Sequence, residues 1–199
     1  AAPPHSAPPP GPAALFPFIG GEAPPPPDFG EQLKKEAEAV MKKQMEVGLD
    51  LINDGELGRR DYVTATRQRL SGFDANKAAT GAADLEEMTE FSDRFEGRKG
   101  LLSLTKKTEV QNAACSGPIS YTDEGLKDLQ EEIQRVIDAA EAAGCPKERV
   151  FFSSPSPGTI ANFFADDFYG DHSKYVQALG KAMKSEYDAI YAARLMLAV

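Results

Sequence analysis

Helical stripes and short apolar runs alternate along this chain, and each internal apolar run leads into a polar loop. Apolar residues recur at helical spacing in three stretches, and the strongest stripe consists of Leu126, Leu129, Ile133, Val136, Ile137 and Ala140. This alternation is typical of βαβ units around a parallel sheet. In such folds ligands bind at the loops that follow the carboxyl ends of strands. The sequence therefore predicts an α/β fold whose site lies on these loops.

Four segments are interpreted as strands, at residues 49–52, 108–114, 149–153 and 195–199, of which 108–114 is the least apolar because it contains Gln111 and Asn112. Helices are predicted from residue 31 to 47, from 61 to 70, from 122 to 143 and around 176–190. Residues 84–95 are interpreted as a polar helix or turn-rich segment, and residues 154–160 as a loop. Gly48 and Gly144 are expected to end the helices that precede them.

The first 28 residues are dominated by proline and are expected to form a flexible leader. Proline fixes φ and lacks the amide donor, which excludes a regular helix or a central strand. Residues 29–199 are then one domain. About 170 residues remain for it, whereas a complete (β/α)8 barrel typically needs about 250. We therefore expect roughly the first half of such a barrel, truncated after its fourth strand.

The composition limits which partners, cellular location and metal sites are expected for the chain. A formal net charge of −9 argues against binding to a phosphate backbone, which requires a basic surface. No apolar run is long enough to cross a membrane, and the N-terminal residues show no charged start followed by an apolar core, so a cytoplasmic location is expected. Cys115 and Cys145 are then expected to be reduced thiols. The spacing of the few histidines and cysteines predicts no metal site.

The acidic loop at residues 53–61 carries the first candidate for binding. Glu56 follows a predicted strand and has Arg59 and Arg60 close behind it. A carboxylate on such a loop can bind a cationic ligand group by charge-assisted hydrogen bonds. The alternative is that Glu56 only pairs with one of these arginines.

Three segments together resemble the cobalamin-independent methionine synthase family, specifically its C-terminal catalytic barrel and short single-barrel relatives. They are residues 48–73 with their Asp-Gly-Glu sequence, residues 114–121 with Cys-Ser-Gly-Pro, and residues 154–190 with Ser-Pro-Ser-Pro-Gly-Thr-Ile and Ser-Glu-Tyr-Asp. The resemblance covers residues 29–192. It implies a partial (β/α)8 barrel and, for the family, methyl transfer from 5-methyltetrahydrofolate to homocysteine. The family zinc is held by His, Cys, Glu and Cys residues of the second barrel half, so no cofactor is expected in this chain.

The resemblance also assigns substrate-binding residues. Glu56 matches the family glutamate that binds the ammonium group of homocysteine, Cys115 lies where the family contacts the folate, and Phe163 matches an aromatic that stacks on the pterin. The ordinary alternatives are that Cys115 is a small buried residue and that Phe163 belongs to the core. No catalytic residue and no metal ligand is assigned.

Three functions remain open at this level. The first is methionine-synthase-like activity on an amino-acid thiol and a folate. The second is a catalytically inactive, truncated relative that acts as a binding or self-associating module, because a half barrel would expose its sheet edges. The third is a sister reaction on another thiol. Neither nucleic acid nor a membrane is an expected partner.

Overall fold

The computed structural model describes residues 26–59, 62–74 and 113–199 and shows a mixed α/β protein. Its helices are Phe29–Glu46 (α1), Tyr62–Gln68 (α2), Asp123–Ala143 (α3), Pro157–Phe163 (α4) and His172–Ala192 (α5). Its strands are Phe73–Asp74 (β1), Ala114–Cys115 (β2), Phe151–Ser153 (β3), Ala165–Asp166 (β4) and Met196–Ala198 (β5). The leader up to residue 25, the segment 84–95 and residues 108–112 lie outside the described ranges.

The chain divides into two compact units, and the long helices α3 and α5 contribute residues to both. The first unit contains, among the described residues, 26–59, 62, 130–152 and 190–198. The second contains 63–74, 113–129, 153–189 and 199. Each unit has its own set of buried apolar side chains.

In the first unit, α1 buries the apolar side chains that recur at helical spacing, Leu33, Ala37 and Met41. Ile52 and Val150 form a parallel bridge, in which the Phe151 amide donates to the Ile52 carbonyl over 3.0 Å. Strand β5 pairs with β3, and the Met196 amide donates to the Val150 carbonyl over 3.0 Å. The strand expected near the end of the chain is therefore confirmed at Met196–Ala198.

The strand expected at residues 49–52 is wrong except at Ile52. Only Ile52 is fully buried and bridged, while Leu49 and Leu51 are 46% and 43% exposed. The guanidinium of Arg149 donates to the Leu49 carbonyl over 2.7 Å and to the Asp50 carbonyl over 2.8 Å. An arginine side chain thus satisfies carbonyls that a neighbouring strand would otherwise pair.

In the second unit, β2 lies at the centre of a three-stranded sheet. It runs parallel to β4 and antiparallel to β1, and neither β1 nor β4 is among the strands predicted from the sequence. Gly72 turns the chain back beside β2 with a φ of 90°, and its carbonyl accepts the amides of Ser116 and Gly117. Glycine adopts this left-handed conformation without steric cost.

The apolar core of the second unit joins α2, the end of the sheet, α4 and α5. Aromatic rings pack within it, and Phe73 meets Phe164 edge-to-face at 5.5 Å between ring centroids. Its buried members are Val63, Leu70, Ala113, Cys115, Ile160, Phe164, Tyr175, Leu179, Ala182 and Met183.

Helix α4 occupies most of a segment that was expected to be loop. Ser156 caps it, since its Oγ accepts the Thr159 amide over 3.1 Å, and Pro157 occupies the first helical position. Serine at the cap followed by proline is a favourable helix start. The Pro157–Gly158 pair therefore begins a short helix, which then leads into β4.

The α/β class is confirmed at this level, as several helices with small sheets. The described ranges contain a three-stranded and a two-stranded sheet and show no closed barrel. Within the same ranges, none of the helices has the length and apolar character needed to span a bilayer.

Gly125 offers a sharp test of the start of α3. A Cβ atom there would meet the carbonyl oxygen of Arg69 and lie 2.6 Å from the Cα of Arg69. We expect Gly125→Ala to destabilise the protein by about 1–3 kcal/mol, as overpacking typically does. Gly180→Ala is the matched control, because its Cβ would make an ordinary contact at 3.8 Å with Pro157.

Gly180→Ala should stabilise α5 by about 0.5–1 kcal/mol, the usual gain from alanine inside a helix. Urea unfolding of both variants measures the two effects. Equal stability of the two variants would contradict the close approach of the α3 start to Arg69.

Candidate functional site

The loop that carries Glu56 is fixed by side-chain hydrogen bonds to its backbone. The side-chain amide of Gln44 in α1 makes two hydrogen bonds to the backbone of Asn53. Its Nε2 donates to the Asn53 carbonyl over 2.7 Å, and its Oε1 accepts from the Asn53 amide over 3.2 Å. Asn53 Oδ1 then accepts the Gly55 amide over 3.1 Å, and Asp54 Oδ1 accepts the Glu56 amide over 3.0 Å. Two successive Asx turns therefore shape the loop.

Glu56 itself has a left-handed backbone, with a φ of 55° directly after Gly55 at 74°. A non-glycine residue in this region carries strain of about 1–3 kcal/mol and is found disproportionately at functional sites. The side chain is half-buried, and the Glu56 carbonyl accepts the Arg59 amide over 3.0 Å. The loop thus presents a carboxylate from a constrained position.

Asp54 is the buried carboxylate of this loop. Burial raises its pKa above the usual 3.8, and the nearby Glu132 carboxylate raises it further. The guanidinium groups of Arg59 and Arg135 and the hydrogen bond from the Glu56 amide act in the opposite direction. The net effect favours the protonated form of Asp54 relative to a solvated aspartate.

Arg59 forms a buried ion pair with Glu132 and is not part of a solvated face. Its Nε donates to Glu132 Oε1 over 2.6 Å, and the two side chains are 5% and 3% exposed. The Arg59 guanidinium also lies over the Phe152 ring at 4.6 Å from its centroid. Sequence reasoning missed Glu132, although a charge three residues after Leu129 and directly before Ile133 was the available signal.

Cys115 lies in β2 at the core of the second unit and is fully buried. Its Sγ donates to the Gly117 carbonyl over 3.4 Å. Burial raises the pKa of the thiol, and the carboxylates of Asp166 and Asp167 raise it further. Cys115 is therefore held as a thiol, which is not the nucleophilic form.

Phe163 is the last residue of α4 and is half-buried against the same apolar cluster that contains Cys115. Its neighbour Phe164 lies deeper in that cluster. The fold thus brings Cys115 and Phe163 into one cluster of the second unit, whereas Glu56 belongs to the first unit.

The described residues do not fit a zinc ion. Within them, no three His, Cys, Asp or Glu side chains gather closely enough to hold a metal. Cys145 is buried with its Sγ directed to the Pro146 carbonyl at 3.4 Å.

Two substitutions of Asp54 test separately how its charge and its hydrogen bond to the Glu56 amide affect stability. Because the folded chain binds the Asp54 proton more tightly than the unfolded chain, wild-type stability falls as pH rises from 3.8 through the raised pKa. Asp54→Asn keeps an acceptor for the Glu56 amide and has no charge, so it should equal or exceed wild-type stability at neutral pH. That advantage should shrink as the pH falls through the raised pKa towards 3.8 and should have disappeared below that value.

Asp54→Ala removes the acceptor as well and should be less stable than Asp54→Asn by about 1 kcal/mol. Chemical denaturation of the three proteins at neutral and acidic pH checks both points. A pH-independent difference between Asp54→Asn and wild type would contradict the raised pKa.

The Arg59–Glu132 pair predicts a non-additive pair of substitutions. Arg59→Met leaves a buried carboxylate uncompensated and should cost about 3–5 kcal/mol, whereas Arg59→Met with Glu132→Leu should cost less than the sum of the single changes. Lys184→Met, which breaks the exposed pair with Asp188, should cost at most about 1 kcal/mol. Strict additivity at Arg59 and Glu132, measured by urea unfolding, would refute the buried pair.

Comparison with known proteins shows a similarity of fold. No protein-family model matches the sequence, and no curated protein matches it. A solved B12-independent methionine synthase from Shewanella sp. W3-18-1, in complex with selenomethionine, is similar with a TM-score of 0.58 and 18% sequence identity. The match covers 84% of this chain and 40% of that chain, so this chain spans less than half of that protein's length. At this level of identity the likeness shows a shared fold.

Proposed function

We propose that this chain is a methionine-synthase-like protein that binds an amino-acid thiol and a methylated folate. The activity of the family that it resembles is methyl transfer from 5-methyltetrahydrofolate to the thiol of homocysteine. The fold shared with a B12-independent methionine synthase supports this proposal, as do three sequence segments that resemble the family in the family's order. That synthase was solved in complex with selenomethionine, the selenium analogue of methionine, which is the product of the proposed methyl transfer.

The observation that carries the proposal is the presentation of Glu56. A strained backbone, two Asx turns and the Gln44 clamp hold its loop in one conformation. Pre-organisation of this kind reduces the entropy lost on binding. The Glu56 carboxylate then accepts charge-assisted hydrogen bonds from the ammonium group of the amino acid.

In the second unit, the proposed folate contacts are Phe163 and the backbone around Cys115. The half-buried ring of Phe163 offers an aromatic face against a flat pterin, and stacked aromatic pairs typically contribute about 0.5–1.5 kcal/mol. Cys115 itself is fully buried and its carbonyl accepts the Asp167 amide over 2.9 Å, so the ligand contact near it falls to Ser116, the exposed residue that follows.

Replacement of Glu56 tests the amino-acid site. Wild type should bind homocysteine and methionine in calorimetry, and Glu56→Gln should weaken both roughly tenfold or more, since a hydrogen bond to a charged group contributes about 1.5–3 kcal/mol. Glu141→Gln, the same substitution at an exposed position of α3, is the control and should bind like wild type. Equal binding by wild type and Glu56→Gln would refute the assigned role.

A turnover assay beside calorimetry distinguishes the second candidate function. An inactive relative that serves as a binding module would bind homocysteine or the folate but produce no methionine when both are supplied with zinc. Two results would favour this second candidate. One is self-association measured by light scattering, and the other is ligand binding that depends on Glu56 but produces no methionine.

A further inference from the structure

Glu186 is a fully buried carboxylate in the second unit, and no role follows for it from the proposed contacts. It lies on the apolar stripe of α5, three residues after Met183 and four before Ile190. Its Oε1 accepts the Ser154 hydroxyl over 2.7 Å, and its Oε2 accepts the Tyr121 hydroxyl over 2.6 Å. Both carboxylate oxygens are thus engaged by hydroxyl donors from other parts of the chain.

The two hydroxyls belong to different segments. Tyr121 ends the segment at residues 116–121, which follows β2, and Ser154 begins the segment at residues 154–156, which leads into α4. The next residue of α5 reinforces the second contact, because the Tyr187 hydroxyl donates to the Pro155 carbonyl over 2.9 Å. One turn of α5 therefore holds both segments.

The cluster extends to one charged partner. Arg69 Nη1 lies 3.9 Å from Glu186 Oε2, while Arg69 Nε donates to Asp128 over 2.7 Å. The Tyr121 pKa is raised by burial and by the adjacent carboxylate, so Tyr121 remains a donor. Short O–H···O⁻ bonds of this kind are the stronger class of hydrogen bond.

An apolar residue at position 186 would fill the same stripe without the desolvation cost of a charge. A carboxylate differs from such a residue in one respect that matters here: it has two equivalent acceptors at a fixed separation. It can therefore set the distance between two donors on separate segments, which an aliphatic side chain cannot do.

We propose that Glu186 is a positioning residue that fixes the segments 116–121 and 154–156 relative to each other. Segment 116–121 follows directly on Cys115, and segment 154–156 leads into the helix that ends with Phe163. Glu186 thus acts on the binding of a flat aromatic ligand through these two segments, and this consequence for binding rests on the proposed function. Supporting groups of this kind hold binding residues in productive geometry.

Amide hydrogen exchange on the full chain tests the positioning role without any ligand. Glu186→Gln is nearly isosteric but replaces one acceptor by a donor, so it should speed exchange about tenfold or more in both segments. Tyr121→Phe should speed exchange only in 116–121, and Ser154→Ala only in 154–156. Ser185→Ala, at an exposed neighbouring position of α5, should change neither.

Exchange in residues 130–143 serves as the internal reference for overall stability. Faster exchange in both segments with an unchanged reference supports the proposal. Wild-type exchange in the segments, or a uniform increase that includes the reference, overturns it. If Glu186→Gln does not fold, Tyr121→Phe and Ser154→Ala decide. Faster exchange confined to the segment that contains the substituted residue supports the proposal. Faster exchange throughout the chain, or unchanged exchange, overturns it.

Calorimetry with 5-methyltetrahydrofolate is the second measurement. Glu186→Gln should weaken binding about tenfold, and Ser185→Ala should bind like wild type. Wild-type binding together with unchanged affinity of Glu186→Gln would overturn the effect on the ligand. A wild-type chain that does not bind this folate would refute the proposed function, while hydrogen exchange would still decide the positioning role.

Discussion

Each unit of this chain places one carboxylate on the buried face of a long helix, and a buried charge must find partners. Glu132 pairs with Arg59 in the first unit, and Glu186 accepts two hydroxyls in the second. Because an unpaired charge in an apolar environment is strongly unfavourable, these partners cannot move independently of the helices that carry the glutamates. The position of the Arg59 backbone, and with it the end of the Glu56 loop, follows from this requirement.

The Glu56 loop shows how such constraints combine. Arg59 anchors its end through the ion pair, and Gln44 anchors its start through Asn53. Between these anchors only a few residues remain, and two of them adopt left-handed backbones. The strain at Glu56 is therefore sustained by contacts on both sides, which is the condition under which a strained residue persists in a folded protein.

The helices were predictable from sequence, but the short strands were less so. Apolar spacing located α1, α3 and α5 because helix formation depends on residues three and four apart. Strands of two or three residues depend on distant partners, and neither the return of β1 beside β2 nor the short β4 has a local signal. Residues 49–51 do not form a strand, because the Arg149 side chain takes the carbonyls of Leu49 and Asp50. Glu56 was already a candidate from its loop after a predicted strand, and Cys115 and Phe163 came from the family resemblance. Glu132 and Glu186 required knowledge of which helix face is buried.

The tyrosines of the second unit have a practical consequence. The chain contains no tryptophan, so tyrosine dominates its near-ultraviolet absorption and its intrinsic fluorescence. Tyr121, Tyr175 and Tyr187 each donate a hydrogen bond within the second unit, and Tyr169 stacks on Tyr175, whereas Tyr191 is exposed. Near-ultraviolet circular dichroism, which requires rings in fixed asymmetric surroundings, will therefore draw much of its signal from this unit. The near-ultraviolet signal of the tyrosines therefore reports on the packing of the segments that Glu186 contacts, without an added label.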